Sequence, residues 1–367
     1  MKILLVSPKG NVSGGIARWT GHILQYYNST DKDKCQLELF DTARSTFIND
    51  DISLLPRIRL AWKDYRSILH RLKSKLKNYS YDILHLTTSA SYGLFKDLYI
   101  LYYAKRKNIK TIIHFRFGRI PQLYKSNNWE WKLLLHVSRK ANKIIVIDKQ
   151  SYLTMQQAGF SNVSLLPNPL ATELEHLAVG SSFEKRIPRT ILFVGHCIRP
   201  KGVYELVEAC CNISNIKLKL VGAIKEDVKR DLLTMSRNAS WLKIAGEQPY
   251  EKVMADMLQC DIFVLPTYTE GFPNVILEAM ACGCAIVTTP VGAIPEMLEK
   301  DVKGKYGIMI APHDTMQLKS AICSILQDED SKKEMRCNVR KRVYERYSMR
   351  QVWNNLTEIW TNLNKNV

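Results

Sequence analysis

Short, unbroken apolar segments alternate with stretches of helical spacing along most of the chain. In the first half these segments are ILLVS (3–7), YDILHL (81–86), TIIHF (111–115), KIIVID (143–148) and VSLLPNP (163–169). In the second half they are ILFVG (191–195), LKLVG (218–222), WLKIAG (241–246), DIFVLP (261–266), AIVTTP (285–290) and GIMIAP (307–312). Such runs are typical of buried parallel strands connected by helices. The pattern predicts an α/β protein made of two doubly wound units.

A polar stretch, ATELEHLAVGSSFEKRIPRT (171–190), separates the two series and is the best candidate for a linker. We therefore expect one domain over 1–170 and a second over 171–345. The remaining segment, 346–367, carries an apolar helical stripe that needs a surface to cover. Because doubly wound sheets bind ligands beyond the carboxyl ends of their strands, we expect a site in a cleft between the units.

The composition excludes several classes of protein. The chain has 367 residues, of which 46% are hydrophobic and 24% charged, as in an ordinary globular protein. No apolar run approaches the roughly 20 residues that span a bilayer, and MKILLVSPKG is typical of a strand rather than a signal peptide. The nine cysteines include no C-x-x-C pair, which fits a reducing compartment and indicates no zinc site. We expect a cytoplasmic protein.

Positive charge is concentrated in the first half of the chain. The net charge is +18, of which residues 1–170 contribute +16 and residues 171–367 only +2. This asymmetry indicates a polyanionic partner for the first half, either a nucleic acid or an anionic membrane surface. The alternative is a basic surface that only keeps the protein soluble.

One basic segment has the pattern of a membrane-surface helix. In RIRLAWKDYRSILHRLKSKLK (57–77) the residues Ile58, Trp62, Tyr65, Leu69, Leu72 and Leu76 form an apolar stripe, and the segment carries a net charge of +7. LYILYYAKRKNIK (98–110) is a second basic, tyrosine-rich segment. Both favour binding at an anionic membrane surface. The alternative for 57–77 is a helix that packs its stripe into the core and exposes its charges.

The segment TYTEGFPNVILEAMACGCAIVTTPVGAIPEM (267–297) carries the strongest chemical signal. It follows a strand, and a helix is predicted to start near Pro273, a residue that suits a first helical position. The free amides of such a helix start bind phosphate. Glu270 and Glu278, eight residues apart, flank this position and are suited to accept hydrogen bonds from sugar and ribose hydroxyls. Each glutamate alone would be an ordinary surface residue.

Four further segments place polar groups or glycines at predicted strand ends. In ILFVGHCIRPKG (191–202), Arg199 and Lys201 could clamp a diphosphate, although two solvated loop charges would look the same. Gly14 and Gly15 follow the first strand and would permit close backbone approach to a ligand. His114 ends a strand, and Asn168 lies in LLPNPL; by themselves both are typical of structural residues.

The spacing E-G-F-P-N-x-I-L-E-A-M-A-x-G resembles the E-x7-E signature of family 4 glycosyltransferases, and the likeness extends over most of the chain. The resemblance implies the GT-B fold, with two Rossmann-like domains across a cleft and the C-terminal helix 346–367 crossing back to the first domain. It implies that domain 1–170 binds the acceptor and domain 171–345 the nucleotide sugar. The chain departs from the family in Phe115–Gly118 after the histidine, where acidic or glycine-containing runs are common, and in Pro169 after Asn168.

The resemblance also implies the roles of individual residues. Arg199 and Lys201 would neutralise the diphosphate, Glu270 would hold the donor sugar, Glu278 the ribose, and His114 would face the donor sugar. These residues, apart from Glu278, are the expected catalytic set. The expected nucleotide-sugar site comprises Gly14, Gly15, Arg199, Lys201, Glu270, Gly271, Phe272, Pro273, Asn274 and Glu278.

The sequence therefore predicts a retaining, metal-independent glycosyltransferase with no cofactor. We expect it to transfer a hexose or N-acetylhexosamine from a nucleotide sugar, preferably UDP-linked, to a lipid-linked saccharide in bacterial polysaccharide synthesis. The expected location is the inner face of the cell membrane, with no nucleic acid as partner. The alternatives are a soluble acceptor, a GDP-mannose donor, a sugar-nucleotide epimerase or glycogen-synthase-like relative, or a basic nucleic-acid-binding protein, for which no recognition motif is present.

Overall fold

A computed structural model describes residues 1–9, 14–30, 35–43, 54–179, 186–299 and 304–365, with residues 54–62 and 176–179 described by their backbone. The chain divides into two compact units. Unit 1 comprises Met1–Pro169 and Val352–Val367, and unit 2 comprises Leu170–Gln351. Each contains one six-stranded sheet in which all pairs are parallel, which confirms the predicted α/β architecture.

The sheet of unit 1 has the strand order β2-β1-β3-β4-β5-β6. Its strands are β1 (Lys2–Ser7), β2 (Gln36–Asp41), β3 (Ile83–Thr88), β4 (Lys110–Phe115), β5 (Lys143–Val146) and β6 (Val163–Leu165). The helices between them are α1 (Gly15–Ser29), α2 (Leu54–Asn78), α3 (Gly93–Arg106), α4 (Ile120–Ser126), α5 (Trp129–Ser138) and α6 (Lys149–Gln157). The sequence pattern missed β2, because this edge strand is only partly buried and has no continuous apolar run.

Helix α2 contains the basic segment 57–77. Its inner face lies in the core of unit 1, where Ile68, Leu72 and Leu76 are buried and Leu69 packs against the same cluster. Lys63, Arg66, Lys73 and other basic side chains remain exposed on the outer face. Over its described side chains, the helix therefore has the core-facing arrangement that was the alternative interpretation. The side chains of Ile58 and Trp62 lie outside the described residues.

The sheet of unit 2 has the strand order β12-β11-β10-β7-β8-β9. Its strands are β7 (Thr190–Val194), β8 (Lys217–Val221), β9 (Leu242–Gly246), β10 (Ile262–Leu265), β11 (Ala285–Thr288) and β12 (Ile308–Met309). The helices are α7 (Thr172–Val179), α8 (Val203–Cys211), α9 (Glu226–Met235), α10 (Tyr250–Gln259), α11 (Asn274–Ala281), α12 (Ile294–Met297), α13 (Thr315–Gln327) and α14 (Glu329–Tyr347). All eleven predicted apolar segments thus contribute to strands of the two sheets.

Part of the stretch 171–190, the candidate linker, is a helix that packs on unit 2. Residues 172–179 form α7, and Leu174 in this helix is buried. The backbone carbonyl of Glu175 accepts a hydrogen bond from Tyr344 Oη at 3.2 Å, and its carboxylate accepts one from the amide of Met349 at 2.8 Å. The polar composition of this stretch reflects the exposed side of a packed helix. Residues 180–185 lie outside the described residues.

The last helix, α15 (Met349–Lys365), begins in unit 2 and continues into unit 1. From Val352 onward its apolar side is buried, with Leu356 and Trp360 at 0% exposure. The Trp353 ring packs between the rings of Tyr26 and Tyr27 on α1 and that of Trp360. Among the described residues, no helix is both long and apolar enough to cross a membrane.

Candidate functional site

The turn after β7 is held against the end of β10. Arg199–Lys201 form one turn of 3-10 helix, and Gly202 ends it with a positive φ of 72°. A β-carbon at Gly202 would lie 2.0 Å from the carbonyl oxygen of Pro266, so only glycine fits this contact. The backbone of Tyr268 adds a hydrogen bond to the carbonyl of Pro200 at 2.9 Å. The R-x-K-G segment is thus fixed at the carboxyl edge of the sheet, where ligands of such sheets bind.

Lys201 and Glu270 form an ion pair at this edge. Both side chains are largely buried, with 24% and 15% of their surface exposed. The pairing compensates the cost of removing both charges from water. The structure thus brings together two residues, 69 positions apart, that the family resemblance placed in one site. An incoming diphosphate could replace Glu270 as the partner of the ammonium group.

Arg199 is exposed on the same turn. Its guanidinium lies 4.2 Å from the ring centroid of Tyr204, a cation–π contact. The Tyr204 hydroxyl in turn donates to Asp231 at 3.0 Å. Arg199 therefore has an aromatic support that orients its planar group while leaving much of it in solvent.

The E-G-F-P-N loop leads directly into α11, which begins at Asn274. Pro273 is the residue directly before the helix, which agrees with the predicted helix start near Pro273. Gly292 packs on the loop from the other side: a β-carbon there would lie 2.4 Å from the carbonyl oxygen of Glu270, and its φ is 57°. The amide of Ala293 donates to the carbonyl of Gly271 at 2.8 Å. These contacts fix the loop and leave the first amides of α11 at the carboxyl edge.

The other members of the predicted loop site differ in exposure. Phe272 is buried and its ring centroid lies 5.9 Å from that of Tyr347, so its side chain belongs to the core of unit 2. Gly271, Asn274 and Glu278 are half-buried. Glu278 lies in the second turn of α11.

His114 lies at the end of β4 in unit 1 and is completely buried. Its Nδ1 atom is 3.1 Å from Nε2 of His85 on the neighbouring strand β3. Trp360 of α15 donates from its Nε1 to Nδ1 of His85 at 3.0 Å. Burial, with a smaller effect of the Arg116 charge, lowers the pKa of His85 to about 3 and holds the pKa of His114 well below its usual value. Both rings are therefore neutral at pH 7.

This chain of three rings fixes the protons on both histidines. The indole N–H of Trp360 can only donate, so Nδ1 of His85 carries no proton. A neutral His85 then carries its proton on Nε2 and donates it to Nδ1 of His114. A neutral His114 consequently carries its own proton on Nε2. His114 therefore presents an N–H donor at Nε2, the ring nitrogen that does not contact His85.

Arg116 follows β4 and lies beside His114. Its Nη1 atom is 3.3 Å from Nε2 of His114, and its guanidinium lies 4.6 Å from the ring centroid of Trp19 on α1. Burial lowers the pKa of Arg116 to about 9, which leaves it charged at neutral pH. We did not assign Arg116, His85 or Trp360 from the sequence. The signal for His85 was a polar residue inside the otherwise apolar strand ILHLTT.

The remaining predicted residues lie elsewhere in unit 1. Gly14 and Gly15 are exposed at the start of α1, and open space surrounds the position of a β-carbon at each. Asn168 is buried close to the end of the first stretch of unit 1. Residues 10–13 of the glycine segment lie outside the described residues. Over the described part of the chain, no group of three or more His, Cys, Asp or Glu side chains is placed to hold a metal ion.

The family model named glycosyl transferases group 1 matches residues 188–328, which contain Arg199, Lys201, Glu270 and Glu278. The capsular polysaccharide biosynthesis glycosyltransferase CapM of Staphylococcus aureus is 26% identical over 245 residues, which are 64% of this chain and 60% of CapM. The chain thus spans less than two thirds of the length of this relative.

Two solved structures match the whole fold. Sucrose-phosphate synthase from Thermosynechococcus elongatus superimposes with a TM-score of 0.74 at 18% identity, over 99% of this chain and 98% of that one. HepE of Anabaena, solved in complex with UDP, gives a TM-score of 0.71 at 16% identity, over 99% and 100% of the two chains. Residues 188–328 therefore match the model of the glycosyl transferases group 1 family, and the chain has the GT-B fold.

Proposed function

We propose that the protein is a retaining glycosyltransferase of bacterial polysaccharide synthesis. It transfers a hexose or N-acetylhexosamine from a UDP-sugar to a lipid-linked saccharide, without a metal ion. The observation that carries the proposal is the Lys201–Glu270 pair beside the R-x-K-G turn and the start of α11. The relation to CapM supports a polysaccharide product, and the UDP complex of HepE supports a UDP-linked donor.

The donor diphosphate would bind between the R-x-K-G turn and α11. Arg199, Lys201 and the first amides of α11 supply positive charge and donors where the leaving diphosphate develops negative charge. When Lys201 turns to the phosphates, Glu270 is released to accept hydrogen bonds from the donor sugar. Transfer then occurs on the face from which the diphosphate departs, as the family resemblance implies.

Glu278 and Glu270 serve different parts of the donor in this proposal. Glu278→Gln should weaken the affinity for UDP, because the ribose then meets a neutral acceptor. Glu270→Gln should lower turnover of the intact donor and leave the affinity for UDP nearly unchanged. Titration calorimetry with UDP measures the first effect and initial rates measure the second. Glu251→Gln, an exposed change on α10, is the matched control.

Equal loss of UDP affinity in the Glu270 and Glu278 variants would contradict their separate roles. If the unmodified protein fails to bind UDP, ADP and GDP alike, the glycosyltransferase proposal itself is wrong. Activity that persists in EDTA is expected, and a strict need for a divalent cation in the chemical step would overturn the metal-free mechanism.

The basic outer face of α2 supports a peripheral location on an anionic membrane. Since the described apolar side chains of α2 are in the core, the attraction is electrostatic rather than insertion of that stripe. Lys75 pairs with Glu38, and the guanidinium of Arg71 donates to the carbonyl of Asp41 at 3.4 Å. Arg66, Lys73 and Lys77 are exposed, and Lys73 lies over the ring of Tyr99.

Flotation with anionic liposomes tests this location. The variant Arg66→Gln, Lys73→Gln, Lys77→Gln should bind less than wild type at low salt, and wild-type binding should fade at 1 M salt, where the screening length is about 3 Å. The control removes three exposed lysines of unit 2, Lys225, Lys243 and Lys252. If wild type ignores anionic liposomes at low salt, the membrane location is wrong and a soluble acceptor is preferable.

A further inference from the structure

Arg116 is a half-buried cation that lacks a carboxylate partner among the described residues. It contacts His114, the ring of Trp19 and the carbonyl of Thr88, which accepts a hydrogen bond from its backbone amide at 2.9 Å. Its Nε atom is buried without a hydrogen-bond partner. A second arginine of unit 1 shows the ordinary arrangement: Arg119 makes two hydrogen bonds to Glu130, at 2.6 and 2.8 Å. Burying a charge without such a partner is costly.

The hydrogen bonds that link Trp360, His85 and His114 make His114, the neighbour of Arg116, a hydrogen-bond donor as well. Because Trp360 and His85 force the proton of His114 onto Nε2, the 3.3 Å approach of Arg116 Nη1 brings two N–H groups together. Neither can accept from the other. Trp19, whose ring touches both, contributes a buried Nε1 that also has no acceptor. Three hydrogen-bond donors and one full positive charge therefore cluster at the end of β4 with no acceptor among them.

We propose that His114 and Arg116 bind an oxyanion, a carboxylate or phosphate group, carried by one of the two substrates. The inference rests on the proposed function and adds the chemical class of a substrate group to it. An oxyanion accepts from the His114 Nε2–H and from the guanidinium at the same time, which satisfies both donors and neutralises the charge. A neutral hydroxyl would satisfy the donors but leave the half-buried Arg116 cation without a counter-charge.

Two substrates can supply such a group. The transferred sugar supplies it if it is a uronic acid, whose carboxylate replaces the hydroxymethyl group of a hexose. The acceptor supplies it if the sugar is joined to its lipid through a phosphate. The chemistry recognised by His114 and Arg116 is the same in both cases. Matched pairs of probes that differ in the anionic group distinguish the two sources.

The experiment measures binding by titration calorimetry with the full chain. The donor pair is UDP-glucuronic acid and UDP-glucose, and the acceptor pair is geranyl diphosphate and geraniol in the presence of UDP. We expect wild type to prefer the anionic member of one pair. Arg116→Gln should lower the affinity for that anionic probe by about 10- to 100-fold, which corresponds to the loss of a charged hydrogen bond. The affinity for the neutral counterpart should stay unchanged. Arg139→Gln, an exposed change after α5, is the control.

The affinity for UDP alone separates this inference from the proposed function. If UDP binds but wild type prefers the anionic member of neither pair, the oxyanion site is wrong while the glycosyltransferase proposal stands. If Arg116→Gln lowers the affinity for the anionic and the neutral probe equally, the oxyanion site is also wrong. Arg116→Lys, which keeps the charge, should retain part of the preference. The wild-type comparison needs no variant, so a misfolded Arg116→Gln protein would not leave the question open.

Discussion

The two units differ in how a partly buried cation is neutralised, Lys201 in unit 2 and Arg116 in unit 1. In unit 2, Lys201 is paired with Glu270, and glycines 202 and 292 pack their turns so closely that a β-carbon would collide with backbone. In unit 1, a chain of neutral rings ends at His114, next to an arginine that has no acid partner among the described residues. Lys201 in unit 2 thus has a carboxylate partner that a substrate anion could replace. Arg116 in unit 1 has no carboxylate partner among the described residues.

This difference indicates how each unit would respond to a substrate. Displacing Glu270 from Lys201 exchanges one anion for another, so the charge balance of unit 2 changes little on binding. Filling the position beside Arg116 adds a counter-charge, so binding should stabilise unit 1 more strongly. Substitutions that remove a charge should therefore act on chemistry in unit 2, while substitutions that disturb the ring chain should act on stability and proton position in unit 1.

Removing the Lys201 charge should have the largest effect. Lys201→Ala should lower kcat/KM for the donor by about 100- to 1,000-fold, as expected when a donor to transition-state charge is lost. The same change leaves Glu270 without its cation. Initial rates with a UDP-sugar measure the effect, and Lys252→Ala, an exposed change on α10, is the control. Retention of more than about half of wild-type turnover would show that the ion pair is structural only.

A β-carbon at Gly292 should displace the loop that carries Glu270. Gly292→Ala should cost about 2–3 kcal/mol, because strain at positive φ is added to a 2.4 Å collision with backbone. Gly246→Ala is the matched control: its φ of 66° is similar and open space surrounds it, so strain alone should cost about 1 kcal/mol. Thermal unfolding and UDP titration compare the two. If Gly292→Ala and Gly246→Ala have equal stabilities and equal UDP affinities, the Glu270 loop accommodates the β-carbon without cost, and the prediction is wrong.

The strands of both sheets could be predicted because parallel strands buried on both faces leave continuous apolar runs. The edge strand β2 and helix α7 could not, because each is buried on one side only and its polar residues dominate the pattern. The family resemblance placed Lys201 and Glu270 in one site, and in the structure their segments follow strands β7 and β10, which are neighbours in one sheet. The start of α11 was predicted near Pro273, and the helix begins at the next residue, Asn274.

The ring chain of unit 1 illustrates what the sequence could not provide. His85, His114 and Trp360 are separated by 29 and 275 residues, and each alone is compatible with a structural role. Their hydrogen bonds depend on the register of β3 with β4 and on where α15 lies against unit 1. Arg116 was noted only as a departure from the family pattern. The surroundings of its charge depend on the proton position of His114, which is set by contacts that lie far apart in the sequence.

Removing the first donor of the ring chain should release the proton of His114. Trp360→Phe keeps an aromatic ring but leaves Nδ1 of the buried His85 without its donor, which should cost about 1–3 kcal/mol. His85 can then exchange tautomers, and so can His114. Nitrogen NMR of the two rings should show one tautomer each in wild type and a mixture in the variant. Trp353→Phe, in the same aromatic cluster, should leave the tautomers unchanged. Unaltered histidine spectra in Trp360→Phe would contradict the proton chain.

The smallest expected effect is a pH dependence confined to unit 1. Its two buried histidines are neutral when folded, with the pKa of His85 near 3, while unfolded histidine titrates near 6.5. Below pH 6.5 the unfolded chain therefore binds more protons, and stability falls as pH is lowered. As the pH is lowered from 7.5 to 5.5, each buried histidine should reduce the free energy of unfolding by about 1 kcal/mol. Urea unfolding followed by tryptophan fluorescence reports mainly on unit 1, since only Trp241 lies in unit 2. His85→Asn should reduce the pH dependence and His136→Asn, on the exposed side of α5, should not; identical curves for wild type and His85→Asn would show that the buried pair is not what senses pH.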